Sequence, residues 1–125
     1  MDKEFELFIG YLGNGATVCN KAIEENGDYK TIAHITVAGN IKLYVKPDYI
    51  PSDAMKRIKK NAEQHKKETE KMLDLELKHE IYGRILDECC DYTPYDKWHS
   101  LLENLKDKSD EEKRQIIKEF YLTNF

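Results

Sequence analysis

No apolar run in this chain approaches the roughly 20 residues that a helix needs to cross a bilayer. Its first residues, with Asp2, Glu4 and Glu6, lack the character of a secretory signal. The expectation is a cytoplasmic protein with no membrane partner. Cysteine is scarce. Cys19, Cys89 and Cys90 form an odd set without C-x-x-C spacing, which reads as reduced thiols rather than a disulfide framework. His34, His65, His79 and His99 stand singly, so the four convergent ligands of a zinc site are not expected, and neither is a cofactor.

Other chemical signatures are missing too. Gly10, Gly13 and Gly15 precede a strand, with neither the helix N-terminus nor the lysine that phosphate cradles use. His79-Glu80 has Gly83, not a second histidine, at the zinc-protease position. Cys89 or Cys90 could serve as a nucleophile with His79 or His99 nearby, but nothing in the surrounding sequence would activate a thiolate; buried or half-buried thiols are the plainer reading. No constellation of base, nucleophile and metal ligand stands out, so no catalytic residue is assigned and the chain is not read as an enzyme.

What is present is charge. Asp, Glu, Lys and Arg make up 35% of the 125 residues, against a usual value of about 25%. The net charge of −4 argues against a chain built mainly to coat nucleic acid. The charge is nevertheless uneven: Lys56, Arg57, Lys59, Lys60, Lys66, Lys67 and Lys71 outweigh Glu63, Glu68 and Glu70 in one stretch.

That stretch, from Ser52 to about Leu77, is also the longest without glycine or proline. It predicts one long helix, opened after Pro51 by Ser52 or Asp53 as cap. A seam of Met55, Ile58, Ala62, His65, Thr69 and Met72 follows 3,4 spacing but is thin, and a helix so polar bridges two packed regions or meets a partner. Met72, Leu73, Leu75 and Leu77 are expected to gather a second apolar cluster.

Before this helix the pattern is that of strands. Phe5, Leu7, Ile9 and Tyr11 alternate with Glu4, Glu6 and Gly10. Gly13-Asn14-Gly15 reads as a turn. The second strand, Ala16 to Glu24, has two possible inward faces, one with Val18, Asn20 and Ala22, the other with Thr17, Cys19 and Ile23. Asn26-Gly27 predicts a type I′ hairpin into a third strand from Tyr29 to Val37. Ala38-Gly39-Asn40 turns again, and Ile41, Leu43 and Val45 mark a fourth strand that Pro47 ends.

After the long helix, Ile81, Tyr82, Ile85, Leu86 and Cys89 fall at helical spacing, with a break near His79 to Gly83 left open. Thr93 followed by Pro94 signals a helix start, with Trp98, Leu101, Leu102 and Leu105 inward. Ser109-Asp110-Glu111-Glu112 is a capping box for a last helix with Ile116, Ile117, Phe120 and Tyr121 inward. The chain thus reads as α+β: a four-stranded antiparallel meander over 1–50, one long helix and its continuation over 51–90, and a C-terminal helical hairpin over 93–125, as a single elongated domain.

Four strings carry a resemblance: GYLGNGATVCNKA from Gly10, GDYKTIAHI from Gly27, GNIKLYV from Gly39 and IPSDAMKRIK from Ile50. Over its first half the chain resembles uncharacterised small proteins of phages and conjugative elements in gut Firmicutes. The resemblance implies a fold and a genetic setting, and carries over no catalytic residue. Proteins of that setting are often accessory factors that bind and block a host complex, anti-CRISPR inhibitors among them.

The function expected is therefore non-enzymatic protein binding, in the sharper form inhibition of a host defence nuclease. The alternative is a nucleic-acid-associated regulator using the basic helix. Candidate partner-binding residues are Lys56, Arg57, Lys59, Lys60, Lys66 and Lys67 with Tyr44 and Tyr49, since exposed tyrosines favour protein interfaces; the plainer reading of the lysines is a solvated face. A homodimer through the long helix, drawing on the sheet edge or the hairpin, is also expected.

Overall fold

A computed structural model describes residues 4–12 and 15–125; Asp2 and the Gly13-Asn14 part of the expected turn lie outside them. The order is β1 (Leu7–Leu12), β2 (Gly15–Glu25), β3 (Asp28–Thr36), β4 (Ile41–Leu43), then α1 (Ser52–His79), α2 (Arg84–Tyr92), α3 (Tyr95–Leu105) and α4 (Asp110–Asn124). The α+β class, the antiparallel meander and the long helix match the sequence reading. Contacts divide the chain into two compact units between Lys66 and Lys67, and α1 gives its first half to one and its second half to the other.

In the first unit the strands pair in the order β1-β2-β3-β4, all antiparallel. Asn26 and Gly27 both take positive φ, 53° and 87°, as the type I′ reading requires. The pairing of β2 with β3 passes from Val18↔Ala33 to Cys19↔Thr31, so Ile32 is an extra residue. This bulge turns Ile32 and Ala33 both into the core, where strict alternation would expose one of them. A second shift between Asn20 and Glu24 leaves Lys21, Ala22 and Ile23 without partners in β3. The fourth strand ends at Leu43 rather than Val45, since only Ala33, His34 and Ile35 oppose it.

The inward face of β2 is the one with Val18 and Asn20, although Ala22, beyond the second shift, is exposed. Asn20 has no exposed surface and satisfies its whole amide: Oδ1 accepts from the Glu6 and Ala22 backbone N–H, both at 3.0 Å. Its Nδ2 donates to the Glu4 carbonyl and to Tyr49 Oη, both at 3.1 Å. A buried amide is tolerated on these terms because no donor or acceptor is left over.

α1 lays Ala54, Ile58 and Ala62 on Ala16, Val18, Ile32, Ala33, Ile35 and Ile50. The expected seam began one residue late: Ala54 is buried and Met55 only half-buried, because the small side chain allows the helix to come close. That closeness peaks at Gly39, whose φ is +86° and where a Cβ would stand 2.3 Å from the Ala62 carbonyl oxygen and 2.9 Å from Lys66 Cβ. No other residue fits there without moving the helix.

In the second unit Leu73 and Leu77 of α1 are buried with Ile85, Leu86, Cys89, Leu101, Leu105, Ile117 and Tyr121. Met72 is half-buried and Leu75, at 63% exposure, faces solvent, so the expected cluster loses a member. The chain breaks over 80–83, and the continuation is helical only from Arg84. Thr93 does not cap α3: its hydroxyl donates back to the Cys89 carbonyl and closes the end of α2. Leu101 and Leu105 are buried as expected, whereas Trp98 is half-buried and Leu102 exposed; on α4, Ile117 and Tyr121 are buried, with Ile116 and Phe120 half-buried. Ser109 does form the capping box with Glu112. Arg114 Nε donates over 3.0 Å to the Leu77 carbonyl, one of the last in α1 and free of an intrahelical partner.

Candidate functional site

Helical periodicity decides what the basic residues of α1 can do together. Arg57, Lys60, Asn61 and Gln64 stand at i, i+3, i+4 and i+7, hence on one face. This face looks across an open groove of about 580 Å³ at Leu7, Phe8, Ile9 and Tyr11 of β1. Ala62 and Lys66 border Gly39, beside the β3–β4 turn. So the structure brings Arg57 and Lys60 together and places Lys66 elsewhere; Lys56, Lys59 and Lys67 are exposed outside the groove lining. Among the described residues none of these six forms an ion pair.

The groove is built from a strand edge and a helix face. Tyr11, 71% exposed, accepts a hydrogen bond from Asn61 Nδ2 at 2.9 Å and stacks on His65, centroids 6.2 Å apart and planes at 16°. His65 is held in turn by its Nδ1 at 3.0 Å from the Asn61 carbonyl. Tyr11 is thereby fixed as one end of the groove. Phe8 meets Tyr29 edge-on at 5.6 Å, and Lys21 Nζ lies 6.0 Å from the Tyr29 ring.

The two edges of the sheet differ. β4 is three residues long and carries Lys42, both features that discourage strand addition. β1 is six residues, Leu-Phe-Ile-Gly-Tyr-Leu, with no charge, no proline and an unbroken register against β2. Its second edge pairs with no strand among the described residues. The sequence singled out the basic helix and a list of tyrosines but not β1, Asn61 or Gln64. The i, i+3, i+4, i+7 spacing of Arg57, Lys60, Asn61 and Gln64 was the signal available.

Of the tyrosines proposed for binding, Tyr44 is exposed and follows β4, on the side of the sheet away from β1. Tyr49 is half-buried, bonded to Asn20 and edge-on to Phe5 at 6.1 Å. It holds the fold.

In the second unit a groove of about 540 Å³ between α3 and α4 is lined by Lys97, Leu101, Phe120 and Asn124 among others, with Lys97 Nζ tied to Asn124 Oδ1 at 3.1 Å. Cys89 is fully buried; burial, with the Glu88 charge adding to it, pushes its thiol up to about 12, the reverse of nucleophile activation. Tyr121 donates to Glu88 Oε2 at 3.0 Å, and Arg84 NH1 holds Glu88 Oε1 at 2.6 Å. Among the described residues no three histidine, cysteine or carboxylate side chains converge as a metal site, and no helix is long and apolar enough to cross a membrane. Comparison with protein-family models, with curated proteins and with solved structures finds no match.

Proposed function

We propose that this chain is a non-enzymatic protein-binding accessory factor of a bacterial mobile element, acting on a host complex, with a defence nuclease as the target in the anti-CRISPR manner. The observation that carries the protein-binding part is the groove at β1: an uncharged strand edge beside a helix face with two cations, neither edge nor cations having a strand or carboxylate partner among the described residues. Such an edge is a template for another chain. The mobile-element setting rests on the resemblance in the first half of the sequence. The burial of Cys89, which pushes its thiol pKa up, also favours binding over chemistry at that thiol.

A nucleic-acid-associated role is the second reading, favoured by the exposure of Lys56, Arg57, Lys59 and Lys60. The net charge of −4 and the exposed Glu63 and Glu68 among these lysines weigh against it, because a phosphate track needs a cationic path. Affinity capture from a Firmicute host lysate, with and without nuclease treatment, separates the two. The protein-binding reading expects a stoichiometric host complex that survives nuclease. Capture abolished by nuclease, together with submicromolar affinity for DNA or RNA that falls steeply with salt, would replace it with the second reading.

A further inference from the structure

Resting on the protein-binding reading, we infer that the groove takes an extended acidic segment of the partner, added as a fifth strand along β1 with its carboxylates against Arg57 and Lys60. The backbone supplies the first part of the case. Leu7–Leu12 is the long, regular, uncharged edge of the sheet, and its free N–H and C=O groups are spaced to pair with an extended chain and with nothing helical. Side chains of an added strand alternate in direction. Those directed to the helix side of the sheet enter the space between Leu7, Ile9 and Tyr11 below and Arg57, Lys60, Asn61 and Gln64 beside them.

Charge supplies the second part. Arg57 and Lys60 have no carboxylate partner among the described residues, and both border the groove. An acidic side chain there gains charge-assisted bonds, and a basic one meets like charge.

Charge also selects among occupants. If a second copy paired its β1 antiparallel to this one, the two-fold axis would run perpendicular to the sheet and set both α1 helices on the same face. Each basic wall would then confront the other across the seam, a repulsive arrangement. Single-stranded nucleic acid would need free aromatic faces for its bases. Of the two exposed aromatics of the groove, Tyr11 has one face taken by His65 and Phe8 is engaged edge-on with Tyr29.

The test uses labelled peptides of about ten residues, long enough to cover the strand, in three forms: alternating valine and glutamate, alternating valine and lysine, and the acidic form N-methylated at alternate residues. Fluorescence anisotropy against the intact chain is expected to show the acidic peptide binding about tenfold or more tightly than the basic one, and the methylated one not binding. Hydrogen exchange should slow at the Leu7–Leu12 amides when the acidic peptide is present. The double variant Arg57→Glu with Lys60→Glu, its fold checked by far-UV circular dichroism, should reverse the preference. Equal binding of the acidic and basic peptides overturns the inference, and so does protection that falls elsewhere. It is equally overturned if oligothymidine displaces the acidic peptide, or if the chain sediments as a dimer with β1 already protected. A host complex captured equally by the wild type and the charge-reversed variant removes the groove and leaves protein binding standing. Failure to capture any host complex, with peptide binding intact, does the reverse.

Discussion

Asn20 Nδ2 donates to Tyr49 Oη over 3.1 Å, and through that bond the middle of β2 is tied to the 3-10 turn, Pro47–Tyr49, that leads into α1. The same amide holds Glu4, Glu6 and Ala22. One side chain therefore gathers the approach to β1, the irregular part of β2 and the entry to the helix.

Replacing Asn20 by alanine removes the partner of two backbone N–H groups and a carbonyl, and the expected loss is about 2 kcal/mol. Tyr49→Phe removes one acceptor and is expected to cost about 1 kcal/mol. Because they share a bond, the double variant should lose less than the sum of the two. Urea melts of the four proteins measure this; strict additivity would show that the bond carries no weight in the fold.

The three thiols should divide by burial. Cys90 is exposed, while Cys19 and Cys89 are buried. Iodoacetamide at neutral pH should modify Cys90 in the folded chain and reach the other two only with denaturant. Mass spectrometry of tryptic peptides distinguishes adjacent Cys89 from Cys90. Fast labelling of Cys89 in the native state would contradict both its burial and the non-catalytic reading.

Cys89 also sets a pH dependence. Its thiol rises from an ordinary value of 9.0 to about 12, and Tyr121 moves up from 10.0 through burial and its bond to Glu88. Both groups keep their protons in the folded state at pH values where the unfolded chain has begun to lose them. The stabilisation is complete below pH 9 and is lost as the pH climbs from there towards 12. Thermal melts across this range should fall, and Cys89→Ala should flatten the first part of the decline.

Ser109 and Thr93 were both read as helix starters, and they should behave differently. Ser109→Ala removes a formed capping box and should cost about 1 kcal/mol, with faster amide exchange in the first turn of α4. Thr93→Ala should leave the first turn of α3 unchanged and loosen the last turn of α2, where its hydroxyl is bonded.

Much of the fold was legible because local chemistry and tertiary structure agreed: Asn26-Gly27 wanted positive φ and has it, and the glycine-free stretch after Pro51 is a helix. The misreadings share a cause. Met55 looked a better core residue than Ala54, and Leu75 was grouped with Leu73 and Leu77 although it faces solvent, because a helical pattern fixes a stripe only to within a residue. Depth is decided by how closely the opposite surface comes. Asn20 stood on one of two possible inward faces of β2, and the sequence could not choose between them, since burial of an amide depends on partners that the fold brings together. Likewise, nothing local to Leu7–Leu12 says that it ends a sheet; strand order decides it, and with it the place of the groove.

Gly39 lies on the opposite flank of the helix from that groove, yet it governs how wide the groove can be. With its backbone set against Ala62 and Lys66, α1 has no slack to roll towards the β3–β4 turn. Each ångström that a bulkier residue at position 39 drove the helix away would be taken from the gap beside Arg57 and Lys60. The aperture is gauged from behind, like a jaw set by a stop on its far side, and sequence change at a position that touches no ligand could tune which side chains the groove admits.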